Sequence, residues 1–179
     1  SFTVDTTAQG KTPAGYRAIF AKGQRGQTAH LALINLCYVL PVYFILSWLP
    51  QIVTDMGFSA SAGSVASATA SLAGVFGGVL IGYLLKPARL KSVTAGVIFG
   101  MGASLALLGL APAALPLIIV ISAVCGFLLF GGMAGLYTIL ASGFPPSARA
   151  SGVGFVVGTG RVGSACAPLL AGWLFAADL

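Results

Sequence analysis

Charge is scarce in this sequence, and negative charge is scarcer still. Of 179 residues, 7% are charged, nine are Lys or Arg and three are Asp or Glu. The acids are Asp5, Asp55 and Asp178, the one histidine is His30, and the three cysteines are Cys37, Cys125 and Cys166. These shortages exclude whole chemistries. An intramembrane aspartyl protease needs two acids inside apolar segments, and a zinc type needs a His/Glu ligand set there; neither exists here. A serine type needs a base beside its nucleophile, and His30 stands at the border of an apolar run. No enzyme, metal site or cofactor is expected. All three cysteines fall within apolar runs, where they act as small apolar residues and imply no disulfide framework.

What the chain does have is hydrophobicity. Apolar residues make up 58% of it and the mean hydropathy is +1.00, far outside the soluble globular range. The relevant solvent is therefore a lipid bilayer. In lipid the backbone must satisfy its own hydrogen bonds, and the apolar runs here are continuous rather than alternating, so helices are expected and not a β-barrel. Five spans are predicted, over about 30–51, 60–85, 92–110, 115–140 and 151–176, after a polar segment over 1–28. The breakers between them, TDMGFS, KPARLK, APAAL and SGFPPSARA, are short, so neighbouring helices run antiparallel.

The cations carry the orientation. Lys11, Arg17, Lys22 and Arg25 precede the first span, Lys86, Arg89 and Lys91 lie in the second linker, and Arg149 lies in the fourth. With antiparallel spans all of these fall on one side, which the positive-inside rule assigns to the cytoplasm together with the start of the segment. The pI of 9.6 is thus a signature of topology and not of nucleic-acid binding. With Ser1 in place of Met, an odd number of spans and a basic leader, the chain is expected to be a piece of a longer one.

One cation breaks this pattern. Arg161 lies about nine residues inside the last span, or about 14 Å deep in a core roughly 30 Å thick. Inserting such an arginine costs roughly 2.5 to 3.5 kcal/mol, so it must face protein or a watery cavity and find a partner. No acid of this chain lies in a span. The partner is an anionic substrate whose carboxylate fits the guanidinium fork, an acid on another part of the protein, or helix carbonyls with water. On a helical wheel Arg161 shares a half with Gly154, Val157, Gly158, Ser164, Ala165, Pro168 and Gly172. Phe155, Val156, Cys166, Leu170, Trp173 and Leu174 fall opposite, a bulky face suited to lipid.

Other features have two readings each. Asn35 and Tyr38 share a face of the first span, and either contribute to a binding cavity or make an interhelical hydrogen bond and an ordinary packed ring. Gly74, Gly78 and Gly82, then Gly96 and Gly100, then Gly131 and Gly135, form small-residue stripes that suit close helix packing. Tyr43, Trp48 and Trp173 suit interfacial anchoring or lipid-facing packing.

Two stretches go further. VYFILSWLPQIVTDMGFS, from Val42 to Ser59, and GFPPSARASGVGFVVGTGRVGSACAPLLAGW, from Gly143 to Trp173, resemble the seventh span and the eleventh-span region of the aromatic acid/proton symporter branch of the major facilitator superfamily. Arg149 and Arg161 stand at that branch's spacing, and IFAKGQRGQTAHL resembles the end of its central cytoplasmic loop. The resemblance implies an all-α membrane protein whose five spans are the seventh to eleventh of twelve, part of a C-terminal six-helix half. Lys86 stands where members commonly have Asp, and Met133 and Tyr137 stand where many have Gln and Asn.

The implied function is secondary active transport, with aromatic or other organic carboxylates taken up with protons by alternating access about a midplane site. Arg161, Asn35 and Tyr38 would bind substrate, while Arg149, Lys86 and Arg89 would serve gating at the cytoplasmic mouth. The implied partners are a small organic anion, protons, the bilayer of a bacterial inner membrane and the N-terminal half of the transporter. The alternatives are an exporter or a sugar or metabolite carrier of the same fold, or an inactive fragment of one.

Overall fold

The computed structural model describes residues 19–21 and 23–176, with 166–172 and 174–176 as backbone only. Lys11, Arg17, Lys22, Asp5 and Asp178 lie outside the described residues, as do the side chains of Cys166, Pro168, Leu170 and Leu174. Five long helices follow one another: α1 (Arg25–Asp55), α2 (Ala60–Leu84), α3 (Leu90–Leu110), α4 (Leu115–Gly143) and α5 (Arg149–Ala176). No strand occurs among the described residues. Four stretches, Arg25–Asp55, Ala60–Leu84, Pro87–Leu110 and Leu115–Gly143, are long and apolar enough to cross a membrane. The protein is an integral membrane protein.

Local chemistry explains where the helices stop. After α1 the chain turns at Gly57, whose φ of 93° suits a residue without Cβ, and the Phe58 amide bonds back to the Val53 carbonyl at 3.4 Å. Ser59 then caps α2, accepting from the Ala62 amide at 3.3 Å. A short 3-10 turn over Pro87–Arg89 leads into α3, and Pro116 sits in the first turn of α4. Inside α1, Pro41 and Pro50 lack the amide that would bond the carbonyl four residues earlier.

Hydroxyls in the spans are hidden in the same way. In α2 the side chains of Ser64, Ser67, Thr69 and Ser71 each donate to the carbonyl one turn back, at 2.8 to 3.1 Å. A polar group facing lipid is thereby satisfied within its own helix. The same helix exposes Leu72, Val75, Phe76 and Val79, an apolar surface that a bilayer covers.

Helix α4 is the centre. The most extensive interface joins it to α2, α3 packs on its other flank, and α5 packs mainly on α1. In the α2–α4 crossing backbone meets backbone: a Cβ on Gly126 would strike the Ala70 carbonyl, and one on Gly77 the Phe127 carbonyl. These two glycines were not in the stripes expected from the sequence. Of those that were, Gly74 lies against Phe130, Gly131 against Ile81 and Gly135 against Thr94, whereas Gly82 and Gly96 face open space. Spacing alone identifies which glycines share a face but not which face meets a neighbour.

Helix α5 corrects another expectation. Val156, assigned to a lipid-facing side, is 0% exposed, and Phe155 packs edge-to-face on Phe20 with ring centroids 5.2 Å apart. The reason lies in the crossing with α1. Gly160 and Gly163 form a notch filled by Asn35, Val39 and Leu36, and Val156 lies one turn from Gly160 on that same side. The cationic end of the bundle is fastened by Gln27, which donates from its amide to the Gly143 carbonyl at 2.6 Å, and by Thr28, which donates to the Ile19 carbonyl at 2.9 Å.

Candidate functional site

Arg161 stands near the middle of α5, twelve residues and therefore about 18 Å along the axis from Arg149. Its neighbour Gly160 is buried against α1, and a step of about 100° turns the arginine out of that contact, where it is exposed. Beside it α5 presents Gly154 and Gly158, which have nothing within 4 Å of a would-be Cβ. The small-residue face around the arginine is therefore open in this bundle.

A chain of tyrosines leads from Arg161 through Tyr137 of α4 to α1. Tyr137 is half-buried and close enough to Arg161 to interact with it electrostatically, and it interacts in the same way with Tyr43. Tyr38 lies within the same range of Tyr137. Tyr43 thus packs against the buried core in mid-helix instead of anchoring a membrane interface. Neither Tyr43 nor Tyr137 had been proposed as a site residue.

Asn35 and Tyr38 occupy different contacts. Asn35 is 1% exposed and donates from Nδ2 to the Val156 carbonyl of α5 at 2.9 Å, while its Oδ1 has no hydrogen-bond partner. Tyr38 is 4% exposed and donates its hydroxyl to the Leu129 carbonyl of α4. That hydroxyl fills a dent at Gly132, where a Cβ would come within 2.9 Å of it. Both side chains tie α1 to its neighbours.

The other cations lie at the ends of helices. Arg149 opens α5, Lys86 precedes the 3-10 turn between α2 and α3, and Arg89 ends it; all three are exposed. The one acid among the described residues is Asp55, at the far end of α1, where it accepts from Gln51 Nε2 at 2.8 Å. No carboxylate among the described residues can neutralise Arg161. No group of three or more metal-ligating side chains occurs among them either.

The arginine thus stands in mid-helix on an open small-residue face, with Tyr137 in electrostatic range. Residues 10–178 match the Major Facilitator Superfamily. The chain belongs to that family. Among its curated relatives are a benzoate transport protein of Acinetobacter baylyi, 28% identical over 178 residues, covering 99% of this chain and 38% of that protein. A 3-(3-hydroxy-phenyl)propionate transporter of Escherichia coli is 30% identical over 160 residues, covering 89% of this chain and 40% of the relative. A gallate transporter of Pseudomonas putida is 28% identical over 172 residues, covering 96% and 38%. These relatives stand in the aromatic acid branch of the major facilitator superfamily and are transporters by name, not enzymes. The chain spans about two-fifths of their length. No solved structure matches the chain significantly.

Proposed function

We propose that this chain is part of a secondary transporter that takes up an aromatic carboxylate with protons by alternating access, with Arg161 as the charge that receives the carboxylate. One observation carries the reading: a guanidinium in mid-helix stands on an open face beside Tyr137, and no acid among the described residues can pair with it. A carboxylate satisfies the guanidinium fork in two parallel hydrogen bonds, and the tyrosine rings supply flat apolar surface for the rest of the substrate. The names of the relatives support the substrate class. Proton coupling rests on acids of the N-terminal half, because this segment has none in a span.

In this reading the start of the segment, with Arg149, Lys86 and Arg89, faces the cytoplasm of a bacterial inner membrane. Those three cations serve the inner gate, and the five helices form the wall of a cavity completed by the other half. Asn35 and Tyr38 act from beneath the site, through the backbone carbonyls that they bond. The test is uptake of labelled benzoate by the full-length protein and by Arg161→Ala and Arg161→Lys. Loss in the alanine variant with partial retention in the lysine variant is expected. Undiminished uptake by both removes the arginine from the mechanism.

A further inference from the structure

The α1–α5 contact joins three features. The Val156 carbonyl accepts Asn35 Nδ2 at 2.9 Å, and it also accepts the Thr159 hydroxyl at 2.8 Å. Gly160, the next α5 residue on that face, presses on the same asparagine amide so closely that a Cβ there would strike Nδ2. Arg161 follows Gly160 directly in the chain. The rotation of α5 about its own axis, and with it the direction in which the long arginine side chain leaves the helix, is therefore set where Asn35 sits.

The asparagine is an expensive choice for packing alone. Its Oδ1 is buried without a donor, and an apolar side chain of the same shape would avoid that cost. In some proteins a buried polar group of this kind specifies register or orientation, as a single asparagine does in a coiled coil. Here the register specified is that of α5 on α1.

We propose that Asn35 is a positioning residue for Arg161: anchored on the Val156 carbonyl and seated against Gly160, it sets the rotation of α5 and so aims the guanidinium at the substrate carboxylate beside Tyr137. This rests on Arg161 being the carboxylate-binding charge. The side chain does not touch substrate, being almost wholly covered by α5. Its effect is therefore on how well a carboxylate is preferred over an uncharged analogue of the same shape, and not on how well an aromatic ring is held.

The test is titration calorimetry of benzoate and of benzamide on the purified full-length protein, with Asn35→Leu, Gly160→Ala and Arg161→Ala. Asn35→Leu preserves the branched shape and removes the hydrogen bond, and Gly160→Ala pushes the amide from the other side. Each is expected to reduce the benzoate-over-benzamide preference by about tenfold, as a small misalignment of a binding group does, with benzamide affinity within about twofold of the parent. If Asn35→Leu does not yield folded protein, Gly160→Ala decides alone. A preference that stays intact in the folded variants while Arg161→Ala abolishes it overturns the positioning role and leaves the arginine's role standing. A preference that survives Arg161→Ala as well overturns the reading of the arginine itself.

Discussion

Two of the glycine-lined crossings in this bundle differ in what stands against the glycines. Between α2 and α4, Gly126 and Gly77 face the carbonyls of Ala70 and Phe127, so each helix lies on the other's main chain. Between α1 and α5, Gly160 and Gly163 face the ends of the Asn35 and Leu36 side chains. Main chain cannot yield without moving a whole helix, whereas a side-chain tip can. The first crossing therefore fixes the architecture, and the second sets an angle. Arg161, the proposed carboxylate-binding charge, is attached to the second.

The largest effect that separates the two crossings is expected from Gly126→Leu. Its side chain has nowhere to go but into the Ala70 carbonyl, and a loss of more than about 4 kcal/mol is expected, enough to remove folded protein from the membrane. Size-exclusion yield in detergent measures it; a normal yield would mean that the backbone contact is not what holds α2 on α4. Arg161→Ala is expected to do the reverse, leaving yield unchanged while benzoate uptake falls roughly a hundredfold, the scale of about 2 to 3 kcal/mol for removing one partner of a desolvated charge pair. Gly160→Ala stands between them. It is expected to cost about 1 kcal/mol of thermal stability, read as a shift in detergent Tm, because the amide it meets can give way in part.

Two smaller effects sharpen the comparison further. Tyr137→Phe keeps the ring and deletes the hydroxyl near Arg161, so benzoate KM should rise by about fivefold, the equivalent of one hydrogen bond of about 1 kcal/mol, with Vmax and yield little changed. Gly82→Ala lies on α2 beyond the tight part of the crossing and faces open space. It is expected to raise stability slightly, by no more than about 1 kcal/mol, through the lower chain entropy of alanine in a helix. A marked loss of Tm there would show that a partner covers that face.

The helices and their order were legible because lipid demands long apolar runs and because the breakers between them, such as Pro145 and Pro146, are strong local signals. Arg161 was legible for a related reason, since a charge in the middle of an apolar run is conspicuous against so apolar a chain. The face it occupies was less so. Val156 and Gly160 belong to the buried side of α5, and only the position of α1 makes them so. Likewise Gly77 and Gly126 look no different in sequence from Gly82 and Gly96; which of them touches a neighbour depends on helix crossing angles that no single helix encodes. Tyr43 and Tyr137 lie far apart along the chain, and their approach to each other exists only once α1 and α4 are packed.

The two prolines of α1 bear on how that helix bends. Pro41 leaves the Cys37 carbonyl, and Pro50 the Leu46 carbonyl, without a helix amide to accept. The span that carries Asn35, Tyr38 and Tyr43 thus has two compliant joints along its length, placed beyond Tyr38 and towards its far end. Flexure at those joints breaks no further backbone bond, so α1 can bend there at little cost.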